Sequence, residues 1–255
     1  MRTYIENYIG QLRIRNFSEN TIDAYRRDLI KYLRYLQNSC EITHFSEIQS
    51  DHIRSYIHLL SEDCLSSRTI ARTLSSINRF HAYLMSEEIL DKNPATQIKK
   101  RKISKTLPDI LSVQEVEDIL NQIDTSTHLG KRDFALLELL YSCGLRVSEM
   151  CALKRIDIMD SSEMIRVRGK GSKERLVPIG KKAIKALDDY FRYSRVKLSK
   201  KSRVEFGEVF LSNNGKPLTR MTINNIIAKY TVSARIEKQI SPHTFRHSFA
   251  THLIE

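Results

Sequence analysis

The residues best suited to act on a phosphodiester sit at three separated points of the chain. They are Arg146 in CGLRVSE, Lys170 and Lys173 in RGKGSKER, and His243 and Arg246 in SPHTFRHSF. Attack on a phosphodiester builds negative charge on two non-bridging oxygens, and the departing alkoxide needs a proton. Guanidinium groups meet the first need because they stay charged and present paired donors to two oxygens. A lysine or a histidine meets the second. Each residue alone is ordinary, since surface arginines and hairpin-tip lysines are usually just solvated. Arg146 and Arg246 are 100 positions apart, so only the fold can bring them to one phosphate. His243 and His247 stand at i, i+4, a spacing zinc ligands also use on helices. No H-E-x-x-H and no acidic third ligand accompanies them. The four cysteines, Cys40, Cys64, Cys143 and Cys151, form no C-x-x-C pair and read as reduced, at least partly buried packing residues. No metal and no cofactor is expected.

The elements that must position these residues follow from periodicity. Residues 1–90 read as helix almost throughout. In SENTIDAYRRDLIKYLRYLQNSC the apolar residues Ile22, Tyr25, Leu29, Tyr32, Leu33 and Leu36 recur at three-and-four spacing, with Ser18 as N-cap. MRTYIENYIGQLRIR, SDHIRSYIHLLSED and SSRTIARTLSSINRFHAYLMSEEIL complete a four-helix bundle. Residues 91–108 carry Pro94 and Pro108 around the run Lys99, Lys100, Arg101, Lys102 and predict an extended basic linker. Residues 109–255 open with the S-x-x-E capping signature of Ser112 and Glu115. A helix is expected to run through KRDFALLELLYSCGLRVSEMCAL with Gly144 inside its pattern. MIRVR and ERLVPI then form a hairpin around Gly-Lys-Gly-Ser-Lys, with Pro178 ending the second strand or holding it at an edge. Helices return in KKAIKALDDYFRYSRVKL and MTINNIIAKYTVSA.

The net charge of +12 is unevenly spread. Residues 1–90 hold 11 Lys/Arg against 11 Asp/Glu, residues 91–108 hold 6 against 1, and the remainder 25 against 18. A polyanionic partner is the natural reading, because neutralising phosphates releases counterions. Arg68, Arg72 and Arg79 share one helix face by their spacing. That face reads either as a track for a DNA backbone or as a solvated face with ordinary ion pairs. No stretch approaches the roughly 18 apolar residues of a membrane span, and MRTYIENYIG lacks the apolar centre of a signal peptide. A cytoplasmic protein that engages no membrane is expected.

In order, GLRVSE, a strand–GKGSKER–strand hairpin running into LVPIG, and SPHTFRHSFATHL resemble the motifs of the tyrosine recombinase, or phage integrase, family. Within it the fit is to the Xer-type recombinases that resolve chromosome dimers. The resemblance covers the whole chain. It implies a mainly α fold: an N-terminal four-helix core-binding (SAM-like) bundle over 1–90, a basic linker over 91–108, and an α+β catalytic domain with a small antiparallel sheet over 109–255. It also implies two domains clamping duplex DNA at a specific core site. Arg146 matches the family's first catalytic arginine, at the end of a buried helix. Lys170 matches the hairpin lysine taken as general acid for the leaving 5′ oxygen, with Lys173 as the alternative donor. His243 and Arg246 match the H-x-x-R pair; the arginine clamps the phosphate, and the histidine assists proton transfer or hydrogen-bonds the phosphate. Glu149 matches an acid that supports the site. Arg68, Arg72, Arg79, Lys99, Lys100, Arg101, Lys173 and Arg175 are expected to contact DNA. Implied partners are a paired recombinase in a homo- or hetero-tetramer and a DNA-translocating division protein.

The family's nucleophile is a tyrosine well beyond H-x-x-R, after a Leu-Gly-His segment. Here HSFATHLIE follows Arg246 and holds no tyrosine, and His252 does not match the Leu-Gly-His position. The expectation is a recombinase cut before its nucleophile and inactive alone. A natural non-catalytic DNA-binding regulator and a tyrosine supplied in trans are the alternatives. With no extra domain read ahead of MRTYIENYIG, the Xer-like type is expected rather than an integrase that carries an arm-binding module, and a transposon or phage integrase of minimal size is the alternative.

Overall fold

The computed structural model describes residues 1–98, 109–169 and 174–254, without the side chain of Asp160. Lys99, Lys100, Arg101, Lys170 and Lys173 therefore lie outside the described residues. The chain divides into two compact units, Met1–Lys105 and Thr106–Glu255.

In the first unit, α1 (Arg2–Ile14), α2 (Glu19–Ser39), α3 (Ser50–Glu62) and α4 (Ser67–Ser86) form the expected bundle. Each buries the stripe its spacing dictates: Ile5, Tyr8, Ile9 and Leu12 on α1, Ile22 through Leu36 on α2, and Leu74, Ile77, Phe80 and Leu84 on α4. Tyr8 and Phe80 meet at 5.5 Å between ring centroids, and Tyr32 and Tyr56 at 5.3 Å. Large apolar rings and aliphatic side chains at such spacing supply the driving force for helices that would be marginal in isolation. Polar contacts also lie inside. Asp28, buried on α2, accepts from Arg72 and from Ser76 on α4. His81, fully buried, places Nε2 3.2 Å from the Tyr32 hydroxyl, while its Nδ1 has no partner among the described residues.

Burial pushes the His81 imidazole down to about 4. The unfolded chain takes up that proton near 6.5, so the unfolded state binds more protons as pH falls from 6.5 to 4. Stability of the first unit should therefore decline through that window and gain no further loss from this group below it. A thermal melt at pH 4.5 is expected to fall below the melt at pH 7, by at most about 3 kcal/mol. The difference should shrink in His81→Leu; an unchanged difference would assign it to other groups.

The sequence predicts extended chain from residue 91, but 91–98 form turns against α3 and α4 instead. The Asn93 amide donates to the Asn78 backbone carbonyl and to its side-chain oxygen, at 3.0 and 2.8 Å. Ser50 donates to the Pro94 carbonyl at 2.7 Å, and Ala95 is buried. Local side-chain bonds from Asn and Ser thus override the composition of the segment.

The second unit is built around α6 (His128–Cys143), whose residues Ala135, Leu136, Leu137, Leu139 and Leu140 are completely buried. A helix apolar on nearly every side belongs in a core. Around it pack α5 (Val113–Asn121), α8 (Lys181–Tyr190) and α11 (Pro242–His252). α5 starts with the predicted capping box: Ser112 accepts from the Glu115 N–H at 3.2 Å, and Glu115 accepts from the Ser112 N–H at 2.7 Å. The expected continuous helix through Gly144 is broken. α6 stops at Cys143, Gly144 takes a left-handed φ of 54°, and a short α7 (Val147–Ala152) follows.

The strands β1 (Ile158–Met159), β2 (Met164–Arg168) and β3 (Glu174–Pro178) make an antiparallel sheet in that order. Ile165 pairs with Val177 and Val167 with Arg175. Pro178 closes an edge strand, where its missing N–H costs no ladder bond. KKAIKALDDYFRYSRVKL folds as α8, a π-turn at Phe191–Arg195, and α9 (Val196–Ser199). There the Arg195 guanidinium donates to the carbonyls of Phe206, Glu208 and Val209. α10 (Arg220–Ser233) supplies Tyr230, whose hydroxyl donates to buried Asp133 at 3.0 Å. Asp133 also accepts from Arg132, which in turn donates to the Leu211 carbonyl. No cysteine among the described residues is bonded to another; Cys64, expected to be at least partly buried, is exposed in a left-handed turn. No helix among the described residues is long and apolar enough to cross a membrane.

Candidate phosphate-binding site

Where α6 gives way to α7, the chain assembles three guanidinium groups around one carboxylate. The Gly144 turn redirects the backbone, Leu145 is buried as an anchor, and Arg146 becomes the N-cap of α7. Its backbone N–H donates to Glu149 Oε2 at 2.8 Å, and its side-chain Nη1 donates to Glu149 Oε1 at 2.9 Å. Arg175 arrives from β3 and forks onto the same carboxylate, Nη1 to Oε1 at 2.8 Å and Nη2 to Oε2 at 2.9 Å. Arg246 arrives from α11; its Nη1 donates to the Gly144 carbonyl and lies 4.0 Å from Glu149 Oε2.

The side chain of Glu149 is only 3% exposed, against 53% for Arg146. Burial alone would push its carboxyl up. The hydrogen bonds from Arg175 and from the Arg146 backbone and side chain outweigh it and hold the group at about 2. The bond to Glu149 moves Arg175 up, whereas burial and the neighbouring Arg146 move Arg246 down. Three positive charges therefore face one fixed negative charge, and the half-exposed Arg146 side chain bonds through Nη1, leaving its other nitrogens without a partner among the described residues. Such a cradle is electrostatically prepared for a further anion with two acceptor oxygens.

α11 is positioned from both ends. Ser241 accepts from the Thr244 N–H at 3.3 Å, and Pro242 occupies the first turn, where its missing N–H is harmless. Phe245 is completely buried, and buried Ser248 accepts from the Leu111 N–H at 2.8 Å. His243 is exposed one turn before Arg246, on the same side of the helix by its i, i+3 spacing. Its imidazole has no hydrogen-bond partner among the described residues.

Of the arginines expected on the first unit's face, Arg68 is exposed without an ion pair among the described residues. Arg72 is bound to Asp28, and Arg79 sits over the rings of Phe17 and Tyr25, at 5.8 and 5.9 Å. The tie between Arg175 and Glu149 was missed by sequence reasoning, which placed Arg175 only among DNA-facing residues. Strand alternation carried the signal: Glu174, Leu176 and Pro178 point outward, so Arg175 and Val177 share the inner face. Tyr141 and Tyr230 are both engaged, Tyr141 with His252 Nδ1 at 2.9 Å and Tyr230 with Asp133.

Guanidinium groups gathered on a buried carboxylate make a site suited to an anion such as a phosphate, and comparison with known proteins makes the class specific. Residues 109–255 match the Phage integrase family, and residues 5–88 match the Phage integrase, N-terminal SAM-like domain. The tyrosine recombinase XerD of Staphylococcus haemolyticus is 41% identical over 256 residues, covering 100% of this chain and 86% of that protein. The XerD of Chlorobaculum tepidum is 41% identical over 259 residues, covering 100% and 84%. Among solved structures, the lambda integrase dimer bound to a COC' core site superimposes with a TM-score of 0.74 at 17% identity, covering 98% of this chain and 85% of that one. The Tn1549 transposon integrase in complex with circular intermediate DNA gives 0.74 at 20% identity, covering 98% and 86%. The chain belongs to the tyrosine recombinases of the phage integrase family.

Proposed function

We propose that this chain is the body of a site-specific DNA recombinase of the XerD type, which grips the scissile phosphate between Arg146 and Arg246. The observation that carries the reading is the meeting of these two arginines, distant in sequence, at Glu149. Identity of about 40% to XerD proteins along the whole chain supports the chromosome-dimer-resolution type. Arg146 and Arg246 neutralise the charge that grows on the non-bridging oxygens. His243 hydrogen-bonds the phosphate or assists proton transfer, and Lys170 hands a proton to the 5′ oxygen as its bond to phosphorus breaks. In the full reaction a tyrosine oxygen forms the new bond to phosphorus, and the resulting 3′-phosphotyrosyl ester conserves the energy for rejoining. Arg68, Arg72, Arg79 and the basic run Lys99, Lys100, Arg101 track the backbone of a specific core site. Assembly with a paired recombinase into a cytoplasmic tetramer, under a DNA-translocating division protein, completes the reading.

Within 1–255 no tyrosine follows Arg246, and the engaged hydroxyls of Tyr141 and Tyr230 make poor substitutes. These 255 residues are therefore expected to hold DNA without forming a covalent bond to it. A DNA-binding regulator without catalysis is the second reading, and it would use the same basic surfaces. The test incubates the chain with a nicked duplex bearing a chromosome-dimer-resolution core site, followed by denaturing electrophoresis. The expected result is specific retention in native gels with no adduct under denaturant. An adduct would place the nucleophile upstream, and equal binding of random duplex would remove site specificity from the reading.

A further inference from the structure

We propose that Arg175 is a positioning residue: its guanidinium fixes the plane of the Glu149 carboxylate, and through it the orientation of Arg146 toward the phosphate. The inference rests on the phosphate-clamp reading and adds a residue to it. A carboxylate offers about four acceptor positions. At Glu149 four donors occupy them: the Arg146 N–H, Arg146 Nη1, and both terminal nitrogens of Arg175. The terminal torsion of a glutamate is broad and weakly restrained by its own chemistry. A forked partner with two parallel bonds removes that freedom, which a single donor cannot do.

The scaffold holds the fork in place. Arg175 lies opposite buried Val167 in the β2–β3 register, on the inner face of the edge strand. Its backbone position is set by the sheet, so the sheet dictates where Glu149 points. Among the described residues, Arg146, more than half exposed, has one side-chain hydrogen bond to fix its rotamer, the one to Glu149 Oε1. If the carboxylate rotates, that bond goes and the remaining donors of Arg146 lose their aim. The distance from Arg246 Nη1 to Oε2, 4.0 Å, would change with the same rotation. Arg175 itself has both terminal nitrogens turned to Glu149, so a phosphate in the cradle is met by Arg146 and Arg246.

A lysine at position 175 would keep the charge but not the fork. The test uses Arg175→Lys and Arg175→Gln in the full chain, with Arg146→Ala as reference. The first readout is the Arg146 Nε–H resonance in an arginine side-chain 15N spectrum of the DNA-free protein. It should shift and broaden in both variants. Arg175→Lys preserves the charge and most of the stem, so a folded sample is available even if Arg175→Gln is unstable. The second readout is affinity for the core-site duplex across a salt series. A positioning role predicts roughly tenfold weaker binding in both variants with an unchanged salt slope. A direct phosphate contact would instead reduce the slope by about one unit in Arg175→Gln. An unmoved Arg146 resonance, or a reduced slope in Arg175→Gln, overturns the proposal. Because the resonance is read without DNA, it responds even if Arg146→Ala binds DNA normally, an outcome that would defeat the clamp reading instead.

Discussion

Arg146→Ala should weaken binding to a core-site duplex by about 10- to 150-fold, the loss expected when charge-assisted hydrogen bonds worth about 1.5–3 kcal/mol disappear. Two effects add in the same direction. The remaining donors of Arg146 vanish, and Glu149 loses one of its bonds, so its negative charge is less well covered where the phosphate must sit. Arg146→Lys restores charge without the fork and should recover only part of the loss. The side chain of Arg146 is 53% exposed, so the melting temperature should scarcely change. Fluorescence anisotropy at fixed salt measures the effect, with Arg68→Ala as the control. Arg68 stands exposed on another helix, and at most one phosphate contact is lost with it, a uniform weakening with a salt slope lower by about one. Wild-type affinity of Arg146→Ala at both low and high salt would remove the clamp and leave the regulator reading.

The bundle was legible because its helices obey the rule that sequence periodicity reports most directly. Ile22 to Leu36 on α2 and the box of Ser112 and Glu115 fall where spacing and capping chemistry put them. The hairpin was legible from the change of period and the glycines between the strands. The stop at Gly144 was not, because Leu145 and Met150 prolong the apolar pattern across it and both are buried. Periodicity records burial, and a buried turn that redirects a helix leaves the record intact. The folding of 91–98 was hidden for another reason: Asn93 and Ser50 make their bonds across 15 and 44 positions, and composition carries no such distances. Arg146 and Arg246 were picked out by motif, yet their meeting at Glu149 belongs to tertiary structure. Arg175 joins Glu149 across 26 positions, and only the register of β3 connects them.

Gly144 concentrates these constraints, and Gly144→Val is expected to cost about 3–5 kcal/mol. At φ 54° the backbone is left-handed, which costs a residue with a Cβ roughly 1–2 kcal/mol and a β-branched residue more. A Cβ at this position would also lie 2.4 Å from Phe249 Cδ1 and 2.9 Å from Cε1. Phe249 is a half-buried ring on α11, so relieving the clash displaces the ring or the helix that carries Arg246. The Gly144 carbonyl accepts from Arg246, so the same displacement separates the two halves of the cradle. The second unit should melt about 6–20 °C lower, with loss of core-site binding at temperatures where the chain is still folded. Gly144→Ala carries the same clash with a smaller conformational cost and should fall between. Phe249→Ala in the Gly144→Ala background removes the obstructing ring, so the double variant separates the two causes. If binding returns while the melting temperature stays low, the steric push on α11 is what disables the site. If neither recovers, the left-handed turn itself sets the position of Arg146, and the glycine is required for its φ rather than for its size.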